Sequence, residues 1–293
     1  MSYFVLRKSF KREVSKALSQ LGLKTTQISQ NEKHMKVPLI HGVGASNHMI
    51  LDERMAAFVR VAVGSKRGLA LDVGANVGAF LIQLHSVRWF EESGAYLGFE
   101  PNPLCTHYVN ELTRLNHLQM AECVCAALAA ESSLPVLHGH KPADKMASLT
   151  ADFAYRAHRK EDFSVRVIAE RGDVLLARMG SPEIAVLKID VEGHEGDVLA
   201  GLAETLEKSR PWIFCEMWDL NDRGKQITQE DLRRRRAAFD VLSGLNYVAY
   251  GEDMQPTALA DISLEGFSKI AGTDVIFVPD SETASFQAAW QKI

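Results

Sequence analysis

Cysteine is scarce in this chain of 293 residues: only Cys105, Cys123, Cys125 and Cys215 occur. They form no C-x-x-C pair, so neither a zinc site nor a disulfide framework is suggested, and buried reduced thiols are expected. No run of eighteen apolar residues exists, which argues against a membrane-spanning helix. A strong charge imbalance is missing as well. The net charge of −4 gives no general attraction to nucleic acid or anionic membranes, and no nucleic-acid partner is expected. At the N-terminus the apolar stretch precedes the basic residues, the reverse of a secretory signal, so a cytoplasmic protein is expected. Internal repeats and low-complexity segments are absent. What is left is ordinary: 46% hydrophobic and 24% charged residues, enough for a sizeable core without covalent staples.

Residues 1 to 24 have helical periodicity, with Val5, Leu6, Phe10, Val14, Leu18 and Leu21 on one stripe. Arg7, Lys8, Lys11, Arg12 and Lys16 make the remaining surface basic. Packing on the parent domain is the preferred reading of this helix; peripheral membrane contact is the alternative. A polar stretch over 24–36 reads as a linker, and a helical pattern returns over 52–63. The organisation expected is therefore an extension over 1–50 and one domain over 51–293. In that domain apolar runs of strand length fall at 69–73, 95–99, 122–128, 184–189, 212–215, 247–250 and 274–278. Helical stretches separate most of them, which predicts a doubly wound, mostly parallel α/β sheet with helices on both faces. The connection over 129–183 is too long for a plain crossover. It holds an extra strand near 164–168 and a polar segment over 138–162, expected to cover the site.

The first run ends in L-D-V-G-A-N-V-G at 71–78, a strand, a glycine turn and a helix start. An open α/β sheet presents a nucleotide-like ligand at such a turn. The turn lacks the first glycine of G-x-G-x-x-G, the pattern that seats a pyrophosphate on a helix N-terminus. A cofactor without pyrophosphate is favoured, and S-adenosylmethionine is the candidate. One strand later comes F-E-P-N-P at 99–103, where Glu100 is placed to accept hydrogen bonds from ribose hydroxyls. Pro101 and Asn102 continue that turn. The fourth main run ends in K-I-D-V-E-G-H-E at 188–195, which gathers Asp190, Glu192, His194 and Glu195 within one turn. These groups suit deprotonating a hydroxyl, gripping an ammonium or holding a divalent ion. For Glu195 a first helical turn, favoured by the dipole, is the simpler explanation.

The three motifs in this order resemble the FkbM-type family of S-adenosylmethionine-dependent methyltransferases, over about residues 68 to 218. The resemblance implies a class I methyltransferase fold, Rossmann-like with a seven-stranded sheet whose last strand inserts antiparallel. It also implies O-methylation of sugars, glycans or natural-product scaffolds, so a small-molecule, sugar or glycan acceptor is the expected partner. The segment 211–216 resembles the family's fifth strand, ending in Glu216. The segment before the fourth strand departs from the family's T-L-D pattern, and only Asp173 fits it.

On this reading Gly74, Ala75, Asn76 and Gly78 form the methionine-side turn, Asp72 orders it, and Glu100 holds the ribose. The stretch around Cys125 and Ala126 borders the adenine. Asp190, Glu192 and His194 face the methyl group. The base for the hydroxyl proton is His194, Asp190 or Glu216; imidazole is the side chain that ordinarily titrates near neutral pH. His85, His138 and His140 are weaker candidates. A divalent ion at Asp190, Glu192 and Glu216 is an alternative, not preferred because no dedicated ligand pair marks it. Arg233 to Arg236 follow a capping box at Thr228 and are expected on a helix surface. A nucleotide-dependent oxidoreductase and a non-catalytic cofactor-binding partner protein are the rival functions.

Overall fold

The computed structural model describes residues 25–30, 33–40, 52–92, 94–140, 147–149, 163–217, 228–270 and 274–293. The helix expected over 1–24 and most of the polar segment over 138–162 lie outside them.

In chain order the elements are β1 (Thr25–Gln30), β2 (Lys33–Pro38), α1 (Glu53–Ala62), β3 (Gly68–Val73), α2 (Ala79–Ser86), α3 (Trp89–Glu92) and β4 (Gly94–Phe99). Then come α4 (Pro103–Leu115), β5 (Ala121–Val124), β6 (Ala127–Ala129), β7 (Val136–Gly139), β8 (Phe163–Arg166), β9 (Ala169–Arg171) and α5 (Gly172–Arg178). The rest are β10 (Ile184–Ile189), α6 (Glu195–Gly201), α7 (Ala203–Ser209), β11 (Trp212–Glu216), α8 (Gln229–Gly244), β12 (Tyr247–Tyr250), β13 (Pro256–Ala258), α9 (Leu264–Ile270), β14 (Asp274–Pro279) and α10 (Thr283–Trp290).

One sheet dominates, in the order β13-β12-β14-β11-β10-β3-β4-β5. β11, β10, β3, β4 and β5 are parallel, while β14 runs antiparallel between β11 and β12. This is the doubly wound class I arrangement expected. The sheet has eight strands rather than seven, because the short β13 adds an antiparallel edge to β12. Each strand of the expected set is present. The run at 122–128 is divided, since a backbone turn from Ala126 to Val124 stops β5 before β6 begins.

Alternation along the central strands feeds two cores. Ala70, Val186 and Phe214 point to the face covered by α1, α2 and α10, with Phe58, Leu81 and Phe286. Leu71, Leu187 and Ile213 point to the other, where α6, α7, α8 and α9 supply Leu199, Leu206, Leu242 and Phe267. The stretch read as a linker is instead a hairpin. β1 and β2 pair antiparallel, and β2 buries Met35 and Val37 in the first core. Asn116 holds it by accepting from Lys36 N and donating to Lys36 O. Alternation of polar His34 and Lys36 with apolar Met35 and Val37 carried that signal, which the polar composition of the stretch masked.

In the long connection β6 pairs with β9 in parallel, and β7 with β8 antiparallel. Asp173 opens α5 and accepts from the backbone of Glu204 and Thr205, so it caps α7. Among the described residues no helix is long and apolar enough to cross a membrane.

Candidate functional site

Three strand ends converge at the carboxyl edge of the sheet. After β3 the chain turns with Gly74 at φ +79°, Asn76 at +46° and Gly78 at +79°. Gly74 is required twice over. Its conformation is left-handed, and a Cβ would collide with the Asp190 carbonyl oxygen of the loop after β10. The two loops therefore touch backbone to backbone.

Glu100, at the end of β4, braces this turn from the side. Its Oε2 accepts from Asn76 N and its Oε1 from Asn102 N, both at 2.8 Å. Burial pushes its carboxyl up to about 7, against the pull of those two amides. Asn102 caps α4 by accepting from Leu104 N, and Pro103 takes the first helical position, where its missing N–H costs nothing.

Beneath the turn lies a buried charge pair that the sequence reading did not assign. Lys188 is the cross-strand partner of Asp72 on the face opposite Leu71 and Leu187. Its Nζ lies 3.1 Å from Asp72 Oδ1, donates to the Gly74 carbonyl at 2.7 Å, and sits 3.6 Å from Asp190 Oδ2. Against burial, the carboxylates of Asp72 and Asp190 hold Lys188 above its ordinary value. Burial raises Asp72 as well, but the adjoining ammonium and the Tyr96 hydroxyl, 2.8 Å away, favour its charged form. Opposite charges 3.1 Å apart in a buried site favour the ionised form of both partners. The signal was legible: a lysine inside a wholly apolar strand is rarely buried without a partner.

The loop after β10 is fixed by its neighbours. Glu192 and Gly193 have φ +54° and +98°. Glu195 Oε1 accepts from Gly193 N at 2.9 Å, and burial pushes its carboxyl up to about 7. Ser148, buried in the long connection, donates to the Glu192 carbonyl at 3.2 Å. His194 Nδ1 lies 3.2 Å from Asp197 Oδ2.

These pieces enclose a cleft of about 600 Å³, part of it open to solvent. Gly74, Asn76, Glu100, Pro101, Asp190, Glu192 and His194 line it. Phe99, Ala127, Leu128 and Leu137 supply an apolar wall, and Ala147, Ser148 and Leu149 line it as well. No lysine or arginine is among the described lining residues. The other predicted residues lie around this space. Asp72 is below it, Ala75 is buried in the core, Gly78 starts α2, and Asn102 starts α4. Cys125 is exposed with Sγ 3.7 Å from the Pro101 carbonyl, and Ala126 is buried. His85 lies on α2, half-buried. His138 pairs by backbone with Ser148.

Glu216 ends β11 outside that lining, opposite Asp274 of β14. The Asp190 carboxylate and partial burial push Glu216 up to about 8; burial and Asp52 push Asp274 up to about 6. Among the described residues no group of three or more His, Cys, Asp or Glu is arranged to hold a metal ion. The four arginines are not all at the surface as expected. Arg233 and Arg236 are exposed, but the Arg234 side chain is 14% exposed and Arg235 is buried over the Phe267 ring.

A family model described as the methyltransferase FkbM domain matches residues 72–247. No curated protein matches the chain. Among solved structures, methyltransferase FkbM from Methylobacillus flagellatus is similar at 12% identity, over 52% of this chain and 33% of its own, with a TM-score of 0.37. A putative SAM-dependent methyltransferase from Streptococcus mutans is similar at 12% identity, over 87% and 55%, with a TM-score of 0.43. An O-methyltransferase from Bacillus cereus, in complex with SAH, is similar at 12% identity, over 79% and 83%, with a TM-score of 0.44. The chain thus spans about a third and about half of the first two.

Proposed function

The chain belongs to the FkbM methyltransferase family, and from that premise we propose that it transfers a methyl group from S-adenosylmethionine to a hydroxyl oxygen of a sugar, glycan or natural-product acceptor. The observation that carries the reading is the chemistry of the cleft lining. Asp190 and Glu192 offer negative charge to a sulfonium and an ammonium, Glu100 offers acceptors to two ribose hydroxyls, and the apolar wall suits a purine. A dinucleotide would bring a pyrophosphate to the same acids, with no lysine or arginine among the described lining residues to offset it.

The bound sulfonium supplies the methyl group already activated. The protein's share is position and proton transfer. The turn at Gly74 and Asn76 holds the methionine end, with Lys188 fixing that turn to Asp72 and Asp190 from below. Alignment of this kind is worth about 7–11 kcal/mol in favourable cases. The acceptor oxygen gives its proton to a base on the loop after β10, Asp190 or His194, and bonds to the methyl carbon. With the cofactor bound, transfer would break its carbon–sulfur bond as the new bond forms, the electron pair staying on sulfur. In this reading residues 51–293 are the catalytic domain, the 129–183 connection walls the acceptor side, and residues 1–50 are an extension.

Calorimetric titration of the full chain tests the cofactor. S-adenosylhomocysteine is expected to bind and NAD is not; the reverse result would overturn the proposal. A panel of glycans and hydroxylated natural products, read by S-adenosylhomocysteine release, tests the acceptor. Release only with amine acceptors would remove O-methylation.

A further inference from the structure

His194 stands at the N-cap position of α6, yet its side chain makes no capping hydrogen bond. Its ring faces Asp197 instead. Residues three apart on a helix share a face, and here both side chains are 12% exposed. Asp197 is held from a second element. Arg233 Nη2 donates to its Oδ1 at 2.8 Å, and Arg234 Nε to its Oδ2 at 2.9 Å. The arginines arrive because α8 crosses α6 at Gly196, where a Cβ would collide with the Arg234 carbonyl oxygen. Against burial, the bonds from His194 and Arg233 and the charge of Arg234 hold Asp197 far below the usual carboxylate range. An acid so clamped stays an acceptor and does not take the ring's proton. A helix start needs none of this, and His194 lines the cleft.

We propose that Asp197, clamped by Arg233 and Arg234, is a positioning residue that fixes His194 in its Nδ1–H tautomer and thereby places the basic lone pair at Nε2 for the acceptor's hydroxyl proton. The inference rests on the methyltransfer reading above. In the step, the hydroxyl proton passes to Nε2 while the oxygen's electron pair forms the bond to carbon. The resulting imidazolium is stabilised by the Asp197 carboxylate and later returns the proton to solvent. Orientation of a histidine base by a buried acid follows the same physical rule in unrelated hydrolases.

The test is the tautomer itself, read in the full chain labelled with ¹⁵N-histidine by long-range ¹H–¹⁵N correlation. His194 is identified by the signals lost in His194→Gln. The parent should show Nδ1 protonated and Nε2 unprotonated. Asp197→Ala should move the proton to Nε2, and Asp197→Glu should restore it in part. With an acceptor from the panel, Asp197→Ala should lower kcat about 10²-fold or more at unchanged cofactor KM. A parent ring protonated at Nε2 overturns the proposal whether or not the variants fold, as does an Asp197→Ala ring that keeps its Nδ1 proton. S-adenosylhomocysteine is titrated into the same samples. If the parent fails to bind it, the methyltransfer reading falls; if it binds with the wrong tautomer, only the present inference falls.

Discussion

Single residues at this edge do opposite electrostatic jobs. Glu100 is buried with a carboxyl pushed up to about 7, yet a ribose needs it ionised. Its protonation should therefore compete with the cofactor. S-adenosylhomocysteine affinity is expected to rise as pH rises through 7, by about tenfold between pH 6 and pH 8. Glu100→Gln should bind more weakly and lose most of that slope; calorimetry across the range checks both. Lys188 works the other way. Lys188→Met leaves the Asp72 carboxylate buried without its cation, which costs about 3–5 kcal/mol. Denaturation should show the midpoint falling with little change in slope. The double variant Asp72→Leu with Lys188→Met should recover much of the loss, because the uncompensated charge goes with it. If the two effects merely add, the pair is not what holds the strands there.

At the scale of elements, the loop between β10 and α6 is set by neighbours distant in sequence. Ser148 holds the Glu192 carbonyl, and Ser148 is itself tied to β7 by backbone bonds with His138 at 2.9 and 3.0 Å. Ser148→Ala should cost about 0.5–1.5 kcal/mol and speed amide exchange across residues 191–193. Hydrogen exchange followed by mass spectrometry would show it, while unchanged exchange would make the contact incidental. The crossing of α6 and α8 at Gly196 is a second such constraint, because only a glycine lets Arg233 and Arg234 reach Asp197. The hairpin of β1 and β2 likewise owes its form to packing on distant residues. It is polar along the chain, but Met35 and Val37 fall on one face and that face is buried.

Across the whole molecule, raised carboxyls gather at the carboxyl edge of the sheet. Glu100 and Glu195 stand at about 7, Glu216 at about 8 and Asp274 at about 6. Each binds its proton more tightly folded than unfolded. The stability they contribute is thus full below about pH 4 and is lost as pH rises through 6 to 8. The cofactor-free protein should melt several degrees lower at pH 8 than at pH 5, and Glu195→Gln should flatten that decline. Differential scanning calorimetry at several pH values decides it; melting that climbs steadily to pH 8 would show these acids ionised throughout. What the sequence by itself determined is the order of strands and turns. Apolar runs, the glycines at 74 and 78, and prolines flanking Asn102 act locally, through periodicity and permitted backbone angles. It also placed Glu100 and the loop from Asp190 to His194 on one sheet edge, since parallel strands share their carboxyl ends. Only the tertiary structure decided which groups meet there. Lys188 beneath Gly74, Ser148 on Glu192, and Arg234 on Asp197 join residues 37 to 114 positions apart. Such contacts depend on register and helix crossing, which a single chain's pattern does not encode locally.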